Sequence, residues 1–370
     1  MKRLLGLVAG LVVIAVSACS APAPPRADAP QASPPGPVIL PAPTGPHAVG
    51  TTALHLTDTS RPDPWDPDVG ARELKVTLWY PTEQRDGESA PYMTIEEAEL
   101  LLRDSGLSTA PAATLSGTRT HAIADAQPSG RDLPLVVLSP GFTKPMSTLT
   151  SLAEDIASRG YVVAGIDHTY ESYATTLSDG RVAECLACDS NTDPGFGMGL
   201  VQGRAADVSV VLDRLTATLK LIDFDRIAMV GQSIGGAAAL ATMVADPRVR
   251  AGVDMDGTAY ARIPKGGLSR PVLFLGAKEH VPGGLDPSWD RDWTLLTGWK
   301  RWLVVPDAEH QTFTDVPLLA EVLGLEPLPG MLPAERGAEL TRTYVAAFLD
   351  LHLKSRPQSI LDTSSLRYRP

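Results

Sequence analysis

The run Arg226 to Leu240, RIAMVGQSIGGAAAL, constrains this chain more than any other stretch. An apolar segment, Ile227 to Val230, breaks at Gly231-Gln232-Ser233-Ile234-Gly235-Gly236, and an alanine-rich, helix-favouring run follows. Strand, G-x-S-x-G, helix is the layout of a nucleophile elbow, a turn sharp enough to lift its serine above a sheet. Glycines two residues either side fit, because the turn brings flanking backbone too close for a Cβ. The plainer reading is a Gly-rich strand-to-helix turn whose serine only caps the helix. Serine is a weak nucleophile at neutral pH, so the first reading demands a base and an orienting acid elsewhere.

On this layout the partners follow in the order serine, acid, histidine. Three histidines come after Ser233. His352 sits in a helical pattern beside Leu351 and Leu353 and reads as packing or surface. His310 lies in Pro306-Asp307-Ala308-Glu309-His310-Gln311, a loop after the last strand-like run, where such sheets place reacting groups. It is the expected base, with His280 the other candidate. Asp254 and Asp256 follow one strand and Glu279 follows the next, and the residues alone leave the acid open among them.

Around the elbow the chain alternates strands with helices from Leu133 onward, the pattern of a parallel sheet covered on both faces. Strands are expected at LPLVVLS, Tyr161 to Ile166, the elbow strand, Val249 to Asp254, Pro271 to Gly276 and Trp302 to Val305. Two earlier strands, His47 to Leu56 and Arg72 to Tyr80, alternate and read as antiparallel. Helices are expected near Ser147 to Arg159, Gln202 to Leu219 and Glu335 to Leu353, with a long loop over about 172–200. The fold class is therefore α/β: a mostly parallel, eight-stranded sheet with helices on both faces.

The first residues are not expected to belong to that fold. Lys2-Arg3 precede an apolar stretch, Leu4 to Val16, of signal-peptide length, ending Val16-Ser17-Ala18-Cys19. That ending resembles a bacterial lipobox, which implies a leader over 1–18 and lipidation of Cys19, an anchor that spans nothing. Residues 19–46 are dominated by Pro and Ala and read as a tether without structure. The folded domain is then expected over 47–370. Net charge is −11 and no dense basic run follows the leader, so nucleic acid is not an expected partner.

From about Leu74 to the last helix, the pieces LWYPT, LPLVVLSPGF, DIASRGYVVAGIDH, IDFDRIAMVGQSIGGAA, GVDMDG and AEHQTF resemble the plasma-type platelet-activating-factor acetylhydrolases of the α/β-hydrolase superfamily. The resemblance implies Asp256 as the acid beside Ser233 and His310, with Glu279 as the alternative. It implies a carboxylic-ester hydrolase without cofactor or metal, acting through an acyl-enzyme on a small-molecule or lipid ester with a short acyl chain. Oxyanion donors are expected in the backbone N–H groups of Ile234 and Phe142. SPGFT and IASRGYVV also resemble bacterial cutinases and polyester hydrolases, the second enzyme reading. That family's GAxxD turn here reads Gly276-Ala277-Lys278-Glu279-His280, with histidine where the acid would stand. Pro140-Gly141 and Gly231-Gln232-Ser233 depart from the His-Gly and G-H-S common in relatives, which implies tuning.

Other constellations carry less. Cys185-Leu186-Ala187-Cys188 in an exported protein reads as a loop-tightening disulfide, over free thiols or half of a metal site. Asp254-Met255-Asp256-Gly257-Thr258 matches the nucleophile motif of haloacid-dehalogenase-type phosphatases, but no paired-aspartate loop follows. Trp289, Trp293 and Trp299 read as core, with a lid over the site as the sharper alternative. Gly195-Phe196-Gly197-Met198-Gly199 reads as flexible loop, and His168 as a brace at a strand end. A non-catalytic surface-binding protein on a hydrolase scaffold is the remaining reading, opposed by an intact serine, acid and histidine in order.

Overall fold

A computed structural model describes residues 38–325, 327, 329–363 and 366. The expected leader, Cys19 and the tether as far as residue 37 lie outside the described residues. In chain order the strands are β1 (Ala48–Pro62), β2 (Ala71–Thr82), β3 (Ser89–Pro91), β4 (Arg119–Ala124), β5 (Leu133–Ser139), β6 (Val162–His168), β7 (Thr175–Thr176), β8 (Val182–Ala183), β9 (Ile222–Gln232), β10 (Val249–Met255), β11 (Val272–Gly276) and β12 (Lys300–Val304). The helices are α1 (Ile95–Asp104), α2 (Ala112–Ser116), α3 (Thr150–Ser158), α4 (Phe196–Thr218), α5 (Ile234–Ala245), α6 (Ser288–Trp293), α7 (Val316–Val322), α8 (Ala334–Leu353) and α9 (Ile360–Thr363).

Ten strands form one sheet in the order β12-β11-β10-β9-β5-β6-β2-β1-β4-β3. The six from β12 to β6 run parallel, whereas β2 is antiparallel to β6 and β1 to β2. The expected eight strands become ten, and the sheet is mixed. The two additions, β3 and β4, pair beyond β1 at its outer edge. Their polar, small-residue sequence reads as connection because an edge strand buries one side at most and needs no apolar alternation.

The parallel strands bury both faces, so successive residues enter two different cores. Leu135, Val137, Ile227 and Met229 pack against α4 and α5. Val136, Leu138, Ala228 and Val230 pack against α3 and α8. A one-residue slip in β5 or β9 would exchange the two sets, so both layers hold the register that places the strand ends.

Two boundaries differ from expectation. Residues 38–46 belong to the folded domain: Arg119 N–H donates to Val38 O at 2.8 Å, Leu40 N–H donates to Arg119 O at 3.1 Å, and Val38 and Leu40 are buried. The apolar triplet Val38-Ile39-Leu40 supplies what the surrounding Pro and Ala lack. The segment read as flexible around Gly195 instead starts α4, with Gly195 at φ +83° immediately before Phe196. Within the loop before it, β7 and β8 form a small antiparallel ribbon and a disulfide joins Cys185 to Cys188.

Candidate active site

At the end of β9 the backbone turns so abruptly that Ser233 adopts φ +57°, ψ −127°. Side chains other than glycine rarely occupy this region, and such strain concentrates at functional positions. The flanking glycines are sterically required. A Cβ on Gly231 would lie 2.1 Å from the Gly235 carbonyl carbon, and one on Gly235 would lie 2.0 Å from Ser139 O. Ser233 N–H donates to Met255 O at 2.8 Å, tying the turn to the end of β10.

Asp256 follows β10 directly, also at positive φ, +59°. Its N–H reaches across to Leu275 O of β11 at 3.1 Å, which holds the carboxylate above the strand ends. Asp256 Oδ2 meets His310 Nδ1 at 2.6 Å. Oδ1 accepts from Ala277 N–H at 2.8 Å and meets His280 Nδ1 at 3.2 Å. Burial works to raise this carboxyl, but the bonds from His280, His310 and Ala277 outweigh it and hold Asp256 well below the usual carboxylate range. His310, whose side chain is 48% exposed, stands in the short helical turn His310–Phe313 after β12.

Ser233, Ile234, Asp256 and His310 line one cleft of about 420 Å³ together with Phe142, Phe196 and Tyr260. Phe142 and Phe196 meet edge to face at 5.3 Å, giving the cleft an aromatic wall. Among the described residues the amides of Phe142 and Ile234 donate to no protein acceptor, so both are open to a ligand. A separate cavity of about 250 Å³ is lined by Thr51, Lys75, Glu97, Glu154 and Asp167, and contains neither the elbow nor His310. No cluster of three or more His, Cys, Asp or Glu side chains able to hold a metal ion occurs among the described residues.

Of the other candidates, Glu279 points to solvent. Asp254 is buried beneath the site, accepting from Gly257 N–H at 2.8 Å and Trp289 Nε1 at 3.2 Å, and burial raises its carboxyl well above the ordinary value. The tryptophans form no lid over this cleft. Trp289 is fully buried between His280 and Phe274, and Trp299 packs on the far layer against Phe348 and His352.

Three contributors take roles that no motif in the sequence assigns. Gln232 is buried and donates through Nε2 to His310 O at 2.8 Å, fixing the histidine's backbone from the elbow itself. Arg204, in α4, donates to Pro140 O and to Ser139 Oγ and pairs with Glu171 at 2.8 Å. Glu171 O in turn accepts from Thr143 N–H at 2.9 Å. The peptides on either side of the Gly141–Phe142 unit are thus both pinned. His280, the third, is taken up below.

The chain is similar to several known ester hydrolases. The family model described as platelet-activating factor acetylhydrolase, isoform II, matches residues 35–185. A probable 1-alkyl-2-acetylglycerophosphocholine esterase of Arthroderma benhamiae is 28% identical over 90% of this chain and 93% of its own. The platelet-activating factor acetylhydrolase of Bos taurus is 24% identical over 67% of this chain and 61% of its own. Among solved structures, a ferulic acid esterase from Streptomyces cinnamoneus superposes with a TM-score of 0.80 at 44% identity, covering 89% of this chain and 97% of that one. An identity of that size over nearly a whole solved esterase, joined by these two more distant relatives that are also named as ester hydrolases, identifies the chain as a carboxylic ester hydrolase of the α/β-hydrolase superfamily, similar to the platelet-activating-factor acetylhydrolases.

Proposed function

We propose that the chain hydrolyses esters of compact acyl groups through a serine acyl-enzyme, with Ser233 as nucleophile, His310 as base and Asp256 as acid. The observation that carries this reading is the 2.6 Å contact of Asp256 with His310 Nδ1 in the same cleft as the strained elbow serine. With Nδ1 bonded to the carboxylate, Nε2 is the nitrogen left to take the proton of Ser233 as it attacks the ester carbonyl. His310 then returns that proton to the leaving alcohol, and a water activated by the same imidazole releases the acid. The tetrahedral oxyanion is received by the N–H groups of Ile234 and Phe142, which donate to no acceptor among the described residues. Asp256, kept ionised, stabilises the imidazolium formed in between.

Two acyl classes fit a cleft of this size and lining. Short alkyl acyl groups, including those of phospholipid-type esters, agree with the acetylhydrolase relatives. Aromatic acyl groups agree with the solved ferulic acid esterase and with the Phe142–Phe196 wall. Hydrolysis by the full chain of p-nitrophenyl esters from acetate to palmitate, beside methyl ferulate, separates them. The reading expects acetate or ferulate to lead and Ser233→Ala to be inactive on both. A palmitate optimum would move the protein to the lipases or cutinases, and unchanged activity of Ser233→Ala would remove the triad.

We also propose that the protein is exported and lipid-anchored at Cys19, on the strength of Lys2-Arg3, the Leu4 to Val16 stretch and the lipobox-like ending. No helix among the described residues is long and apolar enough to cross a membrane. Cys19→Ala is expected to move the protein from the membrane fraction to the soluble one.

A further inference from the structure

We infer that His280 is a positioning residue for this site: its Nδ1–H bond to Asp256 fixes the carboxylate that holds His310 and thereby sets how basic His310 is. The inference rests on the proposed triad of Ser233, Asp256 and His310.

Adjacent parallel strands β10 and β11 end side by side, so the turns after them meet over the sheet. One turn supplies Asp256 and the other supplies His280. A carboxylate has only acceptors, so the His280 nitrogen facing it must be the one that carries the proton. One ring contact and two backbone bonds of His280 restrain its orientation. The ring lies flat on Trp289, with centroids 3.6 Å apart and planes 15° apart. Trp289 is held in turn by Nε1–H donation to Gly257 O at 2.7 Å. Trp302 Nε1–H donates to His280 O at 3.0 Å, and His280 N–H donates to Ala277 O at 2.9 Å. A Cβ on Gly276 would lie 2.8 Å from that of His280, so the turn admits the ring only because that position is glycine.

His280 Nε2 is buried and has no hydrogen-bond partner among the described residues. Its nearest carboxylate oxygen, Asp286 Oδ2, is 3.8 Å away and accepts from Thr258 Oγ1 at 2.6 Å. The charged groups around the imidazole are therefore Asp256 and Asp286, with Asp254 behind Trp289 and the exposed Lys278–Glu309 pair outside. The clamp serves one polar bond, the one to Asp256.

Two consequences follow for His310. The negative charge of Asp256 is shared between two imidazoles, so removing His280 concentrates it on His310 and stabilises the imidazolium. The carboxylate also loses one of its two donors at Oδ1 and with it part of its fixed orientation. Both effects lower turnover at neutral pH while leaving the cleft that binds substrate unchanged.

The test uses two substitutions that separate packing from donation. His280→Phe keeps a ring on Trp289 but has no donor, whereas His280→Asn keeps an N–H near the Nδ1 position and loses the stack. A bond to a charged acceptor is worth roughly a 10- to 100-fold effect. For His280→Phe the expectation is a fall of that size in kcat, a KM within about twofold, and an acid limb of kcat/KM moved up by roughly half a pH unit or more. His280→Asn is expected to recover most of kcat and the position of the limb, at a lower Tm. Wild-type turnover with an unmoved limb in His280→Phe overturns the inference. So does equal loss in both variants, or loss in His280→Asn alone, since the stack would then be what matters. Ser233→Ala in the same assay keeps the two claims apart: if it stays active, the triad reading fails, and if it is inactive while His280→Phe is normal, only the inference fails.

Discussion

The molecule holds two serine–histidine–aspartate sets, and by side-chain bonds alone the buried one is the more complete. In the buried set, Ser139 Oγ meets His168 Nε2 at 3.0 Å and His168 Nδ1 meets Asp207 Oδ2 at 2.7 Å. In the open set, Asp256 meets His310 at 2.6 Å, and Ser233 Oγ makes no hydrogen bond among the described residues. What separates them is access and surroundings. Ser139 ends a regular strand with no exposed surface, and its hydroxyl also accepts from Arg204. Asp207 is claimed by Arg72 and Arg61 as well as by His168. Ser233 stands on a strained turn at a cleft, beside amides with nothing to bind. A resting hydrogen bond between serine and histidine is the least informative member of the pattern, because it often tightens only when substrate is bound. The backbone that presents the serine and the donors awaiting an oxyanion say more.

Substituting the two serines gives the largest expected contrast. Ser233→Ala should lower kcat by on the order of 10⁴-fold or more, as removal of a nucleophile does. Ser139→Ala should leave kcat within a few-fold and instead cost about 1–2 kcal/mol of stability, since buried His168 and Arg204 each lose a partner. Steady-state kinetics beside a urea titration of each variant reads both numbers. An inactive but stable Ser139→Ala would reverse the assignment of the two sets.

The acids provide the next contrast. Asp256→Asn should lower kcat by roughly 10³- to 10⁴-fold, because the amide favours the wrong imidazole tautomer. Glu279→Gln should lie within about twofold of the parent, since that side chain faces solvent. In the buried set the charge is structural. Asp207 is held far below the ordinary carboxylate range because the Arg72 and His168 contacts outweigh its burial. Arg72→Met, which takes one buried guanidinium away from Asp63, Glu171 and Asp207 together, should cost about 3–5 kcal/mol in unfolding free energy. Comparable activity per folded molecule would show that this network supports the fold without entering the chemistry.

Legibility in the sequence followed the same division. The elbow was readable because sterics fix its glycines and its flanking patterns in one short run, and the six parallel strands were readable because burial on both faces makes each an apolar block. The order serine, acid, histidine then limited the base to three residues. The choice of Asp256 over Glu279 needed either a resemblance or the coordinates, since it depends on which of two adjacent turns faces inward. His168 was expected to brace a loop, and it does belong to a bracing network. His168 bonds Ser139 and Asp207, and Asp207 bonds Arg72, each contact joining residues far apart in the chain, so no local spacing announces that the network exists. Gln232 and His280 stand out in the sequence, the one as a departure in the elbow and the other as a candidate base, but their bonds do not, because each reaches a residue distant in sequence. The two outermost strands, β4 and the edge strand β3, and the packed segment 38–46 carry too few apolar residues to show a period.

The two histidines should also separate by pH, with the smallest of these effects. His168 is pushed below its ordinary value of 6.5, first by burial and then by Arg204, against the opposing pull of Asp207 and Glu171. For a base whose folded-state value is lowered, the unfolded chain binds the proton first, so stability is lost as pH falls below about 6.5. One proton taken up on unfolding gives a slope of at most about 1.4 kcal/mol per pH unit. His168→Gln removes that titration, so its Tm should fall less steeply than the parent's between pH 6.5 and 5, whatever its absolute loss. The acid limb of kcat/KM should be unmoved in this variant, because that limb belongs to the proposed base, His310. If the limb moved with the stability slope, the buried set would be coupled to the reaction, through the Arg204 contacts to Ser139 and to the Pro140 carbonyl that precedes Phe142. If only the slope changes, one histidine governs the fold and the other the rate, although each pairs with an aspartate through Nδ1.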